Sequence, residues 1–173
     1  MELRSVEELM DLLYACRGAA APDRLGRDGR RADLHDHALR TAALLRRRRP
    51  ADKELQVAGL VHGIGRLLAP TAPEAGSATG APGGGGAEDG AALAARAADA
   101  VRGLLGERVA RLVRRQAVAG EGRRAHPVDE DALTLRQARE EARTDGSDAG
   151  VLEDWRTLLE LVAARNSRLG AVD

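Results

Sequence analysis

The residues best suited to chemistry in this sequence are its four histidines, His35, His37, His62 and His126. An imidazole ligates metals and moves protons near neutral pH, so two of them brought together could found a metal or acid–base site. His37 and His62 stand on consecutive helical stretches. With a carboxylate such as Asp89, or with Glu88 or Asp36, they would make a mononuclear metal site. The structural alternative is a pair of histidines packed or hydrogen-bonded in the interior. His35 and His37 lie two apart on one helix and so point in different directions. His126 precedes Pro127 in an irregular segment, the setting of an ordinary surface histidine. Cys16 is the only cysteine, lies in an apolar helical stretch, and reads as a buried inert thiol rather than a nucleophile. The glycine run Gly83 to Gly86 lacks the Lys-Ser/Thr of a P-loop. No nucleophile elbow, cysteine-pair metal site or aromatic nucleic-acid platform is present.

Six or seven helical stretches must position these residues. Ser5 and Glu8 form a capping-box start, followed by Val6, Leu9, Met10 and Leu13 at helical spacing; this helix fades at Gly18. A polar loop rich in Arg, Asp and Gly leads to Asp33. The second helix runs from about Asp33 to Arg49 and stops at Pro50, with Leu34, Ala38, Ala42 and Leu45 on one face. The third takes Asp52 as N-cap and carries Leu55, Ala58, Val61, His62 and Leu68. A Gly-, Pro- and Ala-rich stretch at about 70–87 has nothing with which to build a core and reads as a flexible loop. Helices follow over Glu88 to Leu105, Glu107 to Val118, Asp129 to Arg143 and Val151 to Arg165. The expectation is one all-α domain over 1–173, a compact helical bundle.

Two segments around the histidines carry a family likeness. They read His35-Asp36-His37-Ala38-Leu39-Arg40-Thr41-Ala42 and Leu60-Val61-His62-Gly63-Ile64-Gly65-Arg66-Leu67. Together they resemble the HD superfamily of metal-dependent phosphohydrolases, most closely the branch holding inositol oxygenase and the HD-type phosphonate oxygenases. In that branch the second motif reads Leu-Leu-His-Asp-Ile-Gly-His-Leu. Leu133 to Arg143 resembles the helix supplying the family's last Asp ligand, and Leu152-Glu153-Asp154-Trp155 looks like its C-terminal segment. The likeness covers about residues 33 to 165.

The resemblance implies an HD-like bundle and a site in which four His and two Asp hold two metals, iron in the oxygenases. One Asp bridges both metals, because a carboxylate offers two oxygens where an imidazole serves one metal. The metals activate water for phosphoester hydrolysis, or bind substrate and dioxygen. Carried over position by position, His37 and His62 match the first two His. Gly63 stands where the bridging Asp belongs. The third His is expected near Ala87, Glu88 or Asp89, where none occurs. Gln116 takes the place of the fourth His, and Arg139 replaces the last Asp with a cation that repels a divalent metal. The vestigial metal residues are then His37 and His62 alone, too few for a dinuclear site.

The resemblance therefore implies a pseudoenzyme without a cofactor, acting as a ligand- or partner-binding module. Gly63, Gln116 and Arg139 would line a vacated pocket suited to a small anion such as phosphate or carboxylate. The alternative is an HD-type oxygenase or phosphohydrolase with a rearranged or mononuclear iron or manganese site. A pseudoenzyme predicts Arg139 near the two histidines. An enzyme predicts that Glu88 or Asp89 reaches them, and a merely architectural likeness predicts His37 and His62 far apart. Read as a mid-helix residue, Gly63 would cost roughly 1 kcal/mol relative to Ala.

Composition narrows the rest. The hydrophobic content of 43% is mostly Ala, Leu and Val, with no Phe, one Trp and one Tyr. Such a core needs close helix–helix packing, and the residue types favour helix over strand. Lys plus Arg equals Asp plus Glu at 27 each, which gives no global pull toward nucleic acid or an anionic membrane. The run Arg46 to Arg49 reads as a helix C-terminus whose cations complement the dipole, rather than as a phosphate site. A lone cysteine, no signal-peptide pattern after Met1 and no apolar stretch of transmembrane length lead to a cytoplasmic expectation.

Overall fold

A computed structural model describes residues 2–25, 31–68, 85–118, 129–144 and 148–170. Helix α1 (Val6–Ala15) starts at Ser5, whose hydroxyl accepts from Glu8 N at 3.2 Å, while the Glu8 carboxylate accepts from Arg4 N at 2.8 Å. Strands β1 (Ala20–Leu25) and β2 (Arg31–Asp33) pair antiparallel, with Ala20 opposite Asp33 and Leu25 opposite Arg31. Asp33 then caps α2 (Leu34–Arg48): one carboxylate oxygen accepts from His35 N and the other from Gly18 N, each at 2.9 Å. One side chain thereby fixes the end of α1 and the start of α2. Asp52 caps α3 (Lys53–Val61), and a short 3-10 turn follows at Ile64–Arg66. Helix α4 (Gly85–Leu105) meets α5 (Glu107–Val118) at Gly106, whose φ of 94° is the left-handed conformation that favours glycine. Helices α6 (Glu130–Glu141), capped by Asp129, and α7 (Glu153–Gly170) complete an all-α fold of seven α-helices among the described residues.

Three local expectations are corrected. The segment leading to Asp33 carries a two-stranded ribbon rather than only a loop, because backbone pairing between two short strands needs no apolar alternation. Helix α4 begins at Gly85, inside the glycine run, and not at Glu88; most of the stretch read as a flexible loop, 69–84, lies outside the described residues. Helix α3 stops at Val61 instead of continuing to Leu68. His62 is its C-cap, so Gly63, at φ −92°, sits at a helix end and does not incur the mid-helix penalty.

The core follows from the missing aromatics. Leu9, Leu45, Leu55, Leu60, Ile64, Leu112, Leu135 and Trp155 are fully buried, with Ala42, Ala58, Ala97 and Ala98 between them. Small residues let the helices approach closely. A Cβ on Gly59 would lie 2.5 Å from Leu45 Cδ1 and 3.3 Å from Ala42 Cα, so α3 rests almost directly on α2. A Cβ on Gly65 would collide with the Leu93 carbonyl, whose carbon is 2.8 Å away, so the 3-10 turn rests on the α4 backbone. Gln56, fully buried, donates from Nε2 to Arg49 O at 2.8 Å and Pro50 O at 3.1 Å and closes the α2–α3 turn.

One guanidinium gathers three helix beginnings. Arg108, in the first turn of α5, binds Asp52 through both nitrogens (2.7 and 2.6 Å), Glu54 at 2.8 Å and Asp131 at 2.9 Å. These acids belong to the N-cap and first turn of α3 and the first turn of α6, where the helix dipole also favours negative charge. The Arg108 hydrogen bonds are the main reason the Asp52 carboxyl is held below the usual aspartate range. The basic run at the end of α2 is spent in the same way. Arg46 lies 5.4 Å from the Trp155 ring centroid, Arg48 pairs with Glu141, and Arg49 reaches Asp131 at 4.0 Å. Among the described residues no helix is long and apolar enough to cross a membrane.

Gly65→Ala should lose about 1–3 kcal/mol of unfolding free energy by overpacking. Gly63→Ala, whose Cβ would meet no described atom within 4 Å, should be neutral or gain up to about 1 kcal/mol. Urea denaturation of both variants measures the contrast. Replacing Arg108 with Leu should cost about 1–3 kcal/mol, because the partly buried carboxylates of Asp52 and Glu54 lose this partner and Asp131 is left with Arg49 alone at 4.0 Å. The stability contributed by Asp52 is complete above the ordinary carboxyl value of about 3.9. It is lost as pH falls through the lowered folded value. Acid titration below pH ~4 should therefore unfold the wild type more steeply than Arg108→Leu.

Candidate functional site

The Asp33 cap sets the rotation of α2, and that rotation decides which of its first residues face inward. His37 is buried at 5% exposure, while Asp36, one step around the helix, is exposed. His62 at the end of α3 is buried at 7% exposure. Its Nδ1 lies 2.7 Å from Gly59 O. A carbonyl only accepts, so Nδ1 carries the proton and donates, and in the neutral ring the lone pair resides on Nε2. The close seat of Gly59 on α2 brings this ring against His37. The two centroids are 5.4 Å apart and the planes meet at 74°, an edge-to-face contact. The pair expected from the sequence is thus assembled.

His35 takes a different direction, as its spacing from His37 requires. Its Nδ1 donates to Leu13 O at 2.9 Å and its ring stacks on Tyr14, with centroids 6.1 Å apart. The Tyr14 hydroxyl donates to Glu153 at the start of α7, a bond that raises the tyrosine pKa and lowers that of the glutamate. His35 therefore anchors α2 to α1 and, through Tyr14, toward α7. Its role has no local signal in the sequence, because Leu13 contributes only a backbone carbonyl. His126 lies outside the described residues.

Gln116, on the last turn of α5, is buried at 4% exposure. Its Oε1 accepts from Arg139 Nη1 on α6, so the amide and the guanidinium hold each other across the α5–α6 contact. Helices α5 and α6 both pack against α3, and α6 also packs against α2. His37 on α2 and His62 at the end of α3 thus belong to one helix pair, and Gln116 on α5 and Arg139 on α6 to another, with α3 touching both α5 and α6. Gly63 is half-buried. Glu88 and Asp89 stand in the first turns of α4, and their side chains lie outside the described residues.

The dinuclear metal centre that the resemblance implies does not fit these residues. Gly63 offers no donor atom, Gln116 an amide already bonded to a guanidinium, and Arg139 a fixed positive charge. Among the described residues no three of His, Cys, Asp and Glu converge as a metal-binding group. The described contacts are two: the His37 and His62 rings against each other, and the Gln116 amide bonded to the Arg139 guanidinium.

Cys16 stands apart from this chemistry. Burial, with the Asp33 carboxylate adding, pushes its thiol up to about 11. At pH 8 only about one molecule in a thousand then carries the thiolate, so iodoacetamide should label the native protein far more slowly than the urea-unfolded chain. Mass spectrometry of timed aliquots reads the difference, and equal rates would contradict the buried thiol. No known family model matches the chain, and no curated protein is significantly similar to it.

Proposed function

We propose that this chain is a degenerate HD-type helical domain that binds a small ligand or partner instead of catalysing a metal-dependent reaction. The observation that carries the reading is the edge-to-face contact of His37 and His62 in the interior. The replaced positions support the same reading, since Gln116 and Arg139 engage each other on helices packed against α3. A guanidinium backed by an amide suits a small oxyanion, and phosphate or a carboxylate is the ligand class proposed. A cytoplasmic setting belongs to this proposal, as does the absence of a resident cofactor.

One observation favours the alternative, an oxygenase or phosphohydrolase with a mononuclear iron or manganese site. The Gly59 carbonyl fixes the tautomer of His62 in the manner by which metal-ligating histidines are oriented.

Metal content decides between the two readings. Protein purified without an affinity tag, before and after anaerobic addition of iron(II) or manganese(II), should hold well below one metal per chain. Near-stoichiometric metal, lost on His37→Ala or His62→Ala, would overturn the binding reading. The combined variant Gly63→Asp, Gln116→His and Arg139→Asp should gain metal affinity, and no gain would count against the HD-type origin. The anion is tested by thermal denaturation with phosphate, phosphonates and sugar acids. At 100 times Kd a ligand stabilises by about 2.7 kcal/mol, which is roughly 5–10 °C for a chain of this size. Arg139→Gln should abolish that shift, and the absence of any shift in the wild type would remove the anion from the proposal.

A further inference from the structure

We draw no further inference here: the strongest candidate, the space beside Gly63 at the His37–His62 pair, belongs to the site already described, and nothing among the described residues shows what occupies it.

Discussion

The seat of α3 on α2 at Gly59 is the contact on which the arrangement of the interior depends. A chain with no Phe and a single Trp cannot fill wide gaps between helices. It must remove the gaps, and it does so by placing a residue without a side chain against Leu45 and Ala42. Dispersion attraction falls steeply with separation, so aliphatic side chains stabilise such a core only when the backbones are near. The histidine contact is a consequence of that nearness. The carbonyl that orients His62 belongs to the same Gly59, so one residue sets both the spacing of the helices and the tautomer of the ring.

The α2–α3 pair has two unlike ends. At one end α2 finishes in arginines and α3 begins in acids, with Arg108 and Arg49 joining them to α5 and α6. At the other end His37 stands in the first turn of α2 and His62 is the C-cap of α3. Along α2 the two ends are about 16 Å apart at 1.5 Å per residue.

Much of this was legible in the sequence where the determinant is local. Ser5, Asp52 and Asp129 announced three helix starts because a cap involves only neighbouring residues, and α5 spans Glu107–Val118 as its periodicity requires. The inward face of His37 and the divergence of His35 follow from helical rotation alone. The end of α3 was misread because apolar residues at Ile64, Leu67 and Leu68 continue the helical spacing after the backbone has left it. The Arg108 cluster could not be foreseen: its partners lie 54 and 56 residues away on one side and 23 on the other. The Gln116–Arg139 bond is likewise a tertiary event, although both residues were singled out by position.

The contrast between Gly63 and Gly65 bears on how this sequence can change over generations. At position 65 the carbonyl of Leu93 bars any side chain, so drift there is closed whatever the protein does. At position 63 the backbone is ordinary and no described atom crowds it. A glycine codon becomes an aspartate codon by a single nucleotide change, and a glutamine codon becomes a histidine codon by another. Arginine at 139 has no such short path to a carboxylate. Under the proposed HD-type reading, Arg139 is therefore farther from a ligand than Gly63 or Gln116, and the glycine beside His62 is the position most open to change.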